Sequence, residues 1–294
     1  MKKDDALNVF PAIEVPAVVG PGSQPADSDG AAMDFMNLPS GMTTFESPVI
    51  PEPDEIIGME TAVAFAEKIC ADMKNYQIGD GNLVYELSEL DEKNRQFMNQ
   101  LLGDGEVSVQ CGGDLNAQIQ ESVLAGLWRV HYLDEHQHVI RDTMEIGAIP
   151  GLVGEMTFRA AVENVDIGAI DIPETVYNAP PLLAEIHEKL PQYTPGDEPH
   201  VINLSLLPHT EEDIEYLSAA LGIGPNIILS RGYGNCRISS TGTKNVWWVQ
   251  YFNSQDTLIL NTLEISQVPD VACASQEDID DSAARLDEIL SIYR

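Results

Sequence analysis

The chain has 294 residues, 44% of them hydrophobic, and 48 Asp and Glu against 15 Lys and Arg give a formal net charge of −33. Such a field repels phosphate backbones and anionic bilayers, so it disfavours nucleic acid as a partner and would draw in basic peptides or proteins. No apolar stretch reaches the roughly 18 residues of a membrane helix, and Met1-Lys2-Lys3-Asp4-Asp5 leads into Pro-rich sequence with no apolar signal core, so neither membrane insertion nor secretion is expected and the cytoplasm is the expected location.

Residues 1–55 carry Pro11, Pro16, Pro21, Pro25, Pro39, Pro48, Pro51 and Pro53, which withhold backbone donors and hold their predecessors extended. Met33, Phe35, Met36, Leu38, Met42 and Phe45 are scattered through this stretch. It reads as an extended arm that packs onto a surface, its own or a partner's. Thr61 to Asn75 then shows helical apolar spacing (Val63, Phe65, Ala66, Ile69, Met73) and stops before Gly79. A strand is predicted over Leu83–Leu87. Asp91 is placed to N-cap a helix that runs to Leu102 and closes at Gly103. Strands follow over Glu106–Gln110, Ala117–Glu121, Leu124–Leu133 and Val139–Ile146.

A connector over 154–176 is expected to hold a short helix around Phe158–Val162. The same order then returns: helix Pro181–Leu190, strand Val201–Leu206, helix Thr210–Leu221, and strands 226–230, 236–240, 244–252 and 257–265. An amphipathic helix over Ser275–Tyr293 ends the chain, with Ile279, Ala283, Leu286, Ile289 and Leu290 on its apolar side.

The recurrence is also one of residues. A shift of 119 puts Gly103 and Gly105 on Gly222 and Gly224, and Asn116 on Asn235. Trp128 falls on Trp247, Tyr132 on Tyr251, Thr143 on Thr262 and Glu145 on Glu264. Upstream of a two-residue insertion at Pro208-His209-Thr210 the shift is 117 and pairs Ile69 with Ile186, Tyr76 with Tyr193 and Leu87 with Leu204. The expected fold is therefore α+β, with two tandem pseudo-symmetric repeats of two helices and a mainly antiparallel sheet. The expected boundaries are 1–55 for the arm, 56–176 for the first copy with its connector, and 177–294 for the second with its terminal helix.

Residues present in only one copy are the better candidates for function. In the second copy the turn Ser230-Arg-Gly-Tyr-Gly-Asn-Cys-Arg237 adds Arg231, Tyr233, Cys236 and Arg237 to the shared glycine and asparagine. Gly113/Gly232 and Asn116/Asn235 suggest a tight turn that needs positive φ. The two cations either hold a partner's carboxylate or pair with surplus acid of the chain itself. Trp247, matched by Trp128, is a core residue. Trp248 stands where the first copy has Arg129 and is expected to point outward, as a binding anchor or under a covering segment. The candidate partner-binding set is Arg231, Tyr233, Asn235, Cys236, Arg237 and Trp248.

No helix follows the glycines, so a phosphate-binding loop is unsupported. His131, His136 and His138 flank a hairpin turn and read as exposed polar residues rather than metal ligands. Cys70, Cys111, Cys236 and Cys273 lie far apart without a C-x-x-C pair, and Cys70 and Cys111 read as buried thiols. Glu145/Glu264 read as structural carboxylates, and no nucleophile–base set can be argued from spacing. Neither a catalytic residue nor a resident cofactor is expected.

The segments Gly232-Tyr-Gly-Asn-Cys-Arg-Ile238, Asn245-Val-Trp-Trp-Val-Gln-Tyr-Phe-Asn-Ser254 and Leu258-Ile-Leu-Asn-Thr-Leu-Glu-Ile265 resemble the C-terminal conserved region of the HupH/HyaF hydrogenase expression/formation family. Gly20-Pro-Gly-Ser-Gln-Pro25, Leu38-Pro-Ser-Gly-Met42 and Pro48-Val-Ile-Pro-Glu-Pro53 are similar to that family's N-terminal arm. The resemblance implies a non-enzymatic accessory protein, a chaperone for maturation of uptake [NiFe] hydrogenase. It would act on the iron–sulfur small subunit before export, beside other accessory proteins. A basic export signal on that subunit would be attracted by this acidic chain. Two alternatives stay open: an iron–sulfur or metal carrier that uses Cys236, and an interaction module of other function.

Overall fold

The computed structural model describes residues 50–53, 55–113, 116–168, 171–232 and 234–294. The Pro-rich arm therefore lies outside the described residues up to position 49, and so does Tyr233. Among the described residues the elements in chain order are α1 (Glu60–Met73), β1 (Leu83–Glu86), α2 (Glu92–Leu102), β2 (Val107–Cys111), β3 (Ala117–Glu121), β4 (Leu127–Leu133), β5 (Val139–Ile146) and α3 (Gly151–Met156). They continue with α4 (Ala179–Lys189), β6 (His200–Asn203), α5 (Glu211–Leu221), β7 (Ile223–Ser230), β8 (Asn235–Thr241), β9 (Val246–Phe252), β10 (Leu258–Ile265) and α6 (Gln276–Leu290). The fold is α+β, built on one antiparallel ten-stranded sheet in the order β1-β5-β4-β3-β2-β7-β8-β9-β10-β6.

That order reads the same from either end. The two halves meet at β2 and β7, where Val109 faces Ile228, a residue 119 positions further along the chain. Alternation along each strand sends side chains to two faces, and both are covered. One carries Val109, Ile119, Trp128 and Val130 with Ile228, Ile238, Trp247 and Val249, under Val153 of α3, Phe158, Ala272 and Val271. The opposite face is clad by helices. Leu127, Met144 and Ile146 meet α1, α2 and α6, while Val246, Leu263 and Ile265 meet α4 and α5.

Local chemistry explains where the helices stop and start. Asp91 and Thr210 N-cap α2 and α5 through their side chains, and α2 and α5 end at Gly103 (φ 53°) and Gly222 (φ 72°), where a Cβ would be strained. Two residues on, Gly105 and Gly224 press against the neighbouring strand: a Cβ built there would lie 2.2 Å from the Ser122 carbonyl oxygen and 2.5 Å from that of Thr241. The indole contacts recur too, with the acceptor one position out of step. Trp128 Nε1 donates to the Gly147 carbonyl at 2.9 Å and Trp247 Nε1 to that of Gln267 at 3.2 Å.

Four expectations need correction. The connector helix lies at Gly151–Met156 rather than around Phe158–Val162, because Pro150 opens it and Phe158 is needed edge-on against Trp247, 5.1 Å away. The strand after α4 ends at Asn203 and turns into a 3-10 segment over Leu204–Leu206. Positive φ is found at Gly113 (73°) but not at Gly232; Gly234 (105°) takes that conformation instead. The terminal helix closes at Leu290, with Ser291–Tyr293 as a 3-10 turn.

Candidate functional site

Of the candidate set, Arg231 and Tyr233 fall between β7 and β8, Asn235, Cys236 and Arg237 open β8, and Trp248 is on β9. Arg231 is partly exposed, and its backbone N–H donates to the Glu106 carbonyl at 3.0 Å, which ties the loop to the approach to β2. Asn235 is half-buried. Its Nδ2 donates to the Asn253 carbonyl (3.4 Å) and to Asp256 Oδ1 (3.2 Å), bracing the β9–β10 turn. Asn116 does the same for the β4–β5 turn, donating to the Asp134 carbonyl at 3.2 Å. Arg237 lies on the helix-clad face between Leu229 and Gln250, its cross-strand partners, and burial lowers its pKa. Cys236 points to the other face and is 1% exposed, with burial pushing its thiol up to about 12.

Trp248 does not stand out into solvent. It is partly buried against the α4/α5 cluster, and its Nε1 donates to Asn261 Oδ1 at 2.6 Å. The physical reason is that neither face of this sheet is free, so the residue beside a core Trp meets the helices. The corresponding pair in the first half is ionic: Arg129 binds Asp142 through Nε (3.0 Å) and Nη2 (2.7 Å). Arg129 also donates to Asn99, and His131 Nε2 lies 3.3 Å from Asp142. Burial alone would raise the Asp142 carboxyl; the hydrogen bonds from His131 and Arg129 bring it down to about 2.

The remaining histidines serve a turn. Asp134 Oδ1 accepts from the backbone N–H of His136 (2.8 Å) and of His138 (2.9 Å), as Asn253 Oδ1 does from Gln255 (2.9 Å) and Thr257 (3.0 Å). The His136 and His138 rings are 6.1 Å apart at their centroids. Among the described residues no group of three or more His, Cys, Asp or Glu is arranged to hold a metal ion. Glu145 Oε1 accepts from the Gly151 N–H and from Asn82 Nδ2, both at 2.6 Å, and so caps α3. Glu264 accepts from the Thr262 hydroxyl at 3.2 Å, and burial raises its pKa.

Two buried carboxylates escaped the sequence reading. Asp213, 0% exposed, takes backbone N–H groups from Tyr177, Asn178, Ala179 and Thr210, at 2.9 to 3.1 Å. Burial by itself would raise its pKa, yet these donors hold it far below the usual carboxylate range. The readable signal was the Thr210-x-x-Asp213 capping box. Glu121 is 8% exposed on the Trp-bearing face, and its carboxylate accepts from the Gly126 N–H at 3.2 Å. Burial raises it to about 7 against that N–H, with Glu106 and Asp278 adding to the rise. Its signal was its phase: it follows Ala117 and Ile119 in the inward register of β3.

Burial of Cys236 sets an expectation for its reactivity. In the native protein near pH 8, iodoacetamide should leave Cys236 unmodified in peptide mass maps, because the thiolate is scarce and shielded. Prompt alkylation of Cys236 without denaturant would contradict the burial described here.

The family model described as "HupH hydrogenase expression protein, C-terminal conserved region" matches this chain twice, over residues 59–168 and 176–293. The hydrogenase expression/formation protein HoxQ of Cupriavidus necator is 43% identical, with 97% of this chain and 98% of that protein covered. HupH of Rhodobacter capsulatus is 40% identical over 95% and 97% of the two chains. The hydrogenase-1 operon protein HyaF of Escherichia coli is 32% identical over 92% and 94%. A solved HupH chain from Thiobacillus denitrificans is 32% identical, with 39% of this chain and 95% of that chain covered, at a TM-score of 0.37. Matched by this model over more than half its length and by these relatives almost end to end, the chain belongs to the HupH family of hydrogenase expression/formation proteins.

Proposed function

We propose that this chain is a non-catalytic accessory protein of uptake [NiFe] hydrogenase maturation that binds the iron–sulfur small subunit before export. The observation that carries the reading is the near end-to-end match to hydrogenase expression/formation proteins. The site chemistry supports it: Asp142, Glu145 and Asp213 are each committed to ion pairs or to backbone donors. The net charge of −33 supports a basic target, such as an export signal, met in the cytoplasm.

We also infer that the scaffold is a duplicated unit, one copy in 56–176 and the other in 177–294. The palindromic strand order, the pairing of Val109 with Ile228 and the double family match support this. Arg231, Tyr233 and Arg237 are kept as the partner-binding candidates of the second copy. Asn235 and Cys236 would act through the shape of the loop, and Trp248 through the seat of α4 and α5. The carrier alternative gains nothing from a thiol as buried as Cys236.

The test is affinity capture with the full chain from cells that express the hydrogenase, with anaerobic metal analysis of the purified protein. The reading expects the small-subunit precursor in the eluate without stoichiometric metal on the bait. A metal lost on Cys236→Ser would overturn it in favour of the carrier.

A further inference from the structure

Among the described residues the sheet has two edges, β1 and β6, each paired on one side only. Both expose a Val and, on the adjoining strand, an Ile: Val84 and Ile140 at one edge, Val201 and Ile259 at the other. Beyond that they differ. At the β1 edge Arg141 pairs with Glu86 and stacks over Tyr132, a charged guard of the kind that keeps sheet edges from pairing. The corresponding positions by the β6 edge hold Leu260 and Asn203, and the Asn203 carboxamide oxygen finds no partner among the described residues. Glu89, just past β1, is replaced past β6 by Leu206, which is 80% exposed. Leu90 is 8% exposed, whereas its counterpart Leu207 is 38% exposed.

Apart from His200, whose Nε2 lies 2.8 Å from Glu185, and His209, the ionisable groups around this edge are acidic. The chain has no Lys or Arg between Lys189 and Arg231, nor between Lys244 and Arg285, and these two stretches supply β6 and β10. Exposed Asp197 and Glu198 precede β6, and exposed Glu211 and Glu212 follow it. A second copy of so acidic a chain would be repelled here. An extended basic segment with apolar side chains at alternate positions would be attracted, would satisfy the open backbone groups of β6 and would cover Leu206 and Ile259.

We propose that the β6 edge is a docking strand that takes an extended, basic and apolar segment of a partner protein as an eleventh strand of the sheet. The proposal rests on reading the chain as a binding protein and names the surface it uses.

The probe is a fluorescent peptide of roughly ten residues that alternates Lys with Val, compared with the same peptide N-methylated at alternate backbone nitrogens. Anisotropy titrations with the full chain are expected to show at least about tenfold weaker binding of the methylated peptide. A similar loss is expected for the plain peptide with Leu206→Lys/Val201→Lys protein, while Val84→Lys at the other edge leaves affinity unchanged. Amide NMR shifts should centre on His200–Asn203, and circular dichroism verifies that the variants are folded. Equal binding of both peptides, loss on Val84→Lys alone, or no binding at all would overturn the proposal. Retention of the small-subunit precursor by folded Leu206→Lys/Val201→Lys protein sinks the edge alone; failure of the parent chain to retain it sinks the functional reading.

Discussion

Asp213→Ala is expected to lower the unfolding free energy by about 3–5 kcal/mol, the largest loss from any single carboxylate among the described residues. The side chain is wholly buried and joins the start of α5 to the start of α4 through the N–H groups of Thr210, Tyr177, Asn178 and Ala179. Alanine leaves those donors in a space where few of them can reach water. Asp213→Asn should cost less, because Asn94 makes the corresponding joint in the first half with a neutral carboxamide, accepting from the Ala62 N–H at 2.8 Å. The folded pKa of Asp213 is depressed. Its contribution is therefore present above the unfolded carboxyl value and is lost as pH falls through the folded one, in strong acid. Urea titrations of the parent, Asp213→Asn and Asp213→Ala decide the matter. An alanine variant within about 1 kcal/mol of the parent would contradict it.

Glu121 has the opposite sign. Its folded pKa of about 7 stands above the ordinary 4.5. Stability linked to it is complete below the unfolded value and is lost as pH rises through 7, an interval that corresponds to about 3 kcal/mol. Glu106 and Asp278 face the same carboxyl, so ionisation there adds charge beside charge. Glu121→Gln keeps the acceptor for the Gly126 N–H and removes the proton. The variant should match the parent near pH 4 and exceed it by up to about 3 kcal/mol near pH 8. Melting curves across that range test it, and parallel pH dependence of the two proteins would exclude Glu121 as the source. Ser240, 119 positions on, holds its hydroxyl between the N–H and carbonyl of Asn226 and has no such dependence.

Much of the architecture was legible because its signals are local. Asp91 with Gly103, Thr210 with Gly222, and the alternation around Trp128 and Trp247 mark helix ends and strands without any tertiary information. What could not be read was which sheet faces are covered. Alternation shows that Trp248 lies opposite Trp247, but only the packing of α4 and α5 makes that side an interior one. The same gap hid Glu121, whose burial depends on segments more than a hundred residues away, around Ala272 and Asp278. Among the candidate residues, Asn235 and Cys236 belong to a segment singled out by its composition, yet the structure places both on β8, where Cys236 is buried and Asn235 braces the β9–β10 turn. Edge strands are beyond sequence reading altogether, because strand order decides that β6, and not β10, ends the sheet.

Direct recognition of a hydrogenase small subunit by this acidic family member is the proposal on which the other functional readings depend. The most direct measurement is isothermal titration of the full chain with the purified small-subunit precursor, with and without its export signal, at about 0.05 M and about 0.5 M salt. One-to-one binding to the precursor is expected, weakening at the higher salt and on removal of the signal. Absence of binding to either form of the subunit would contradict it.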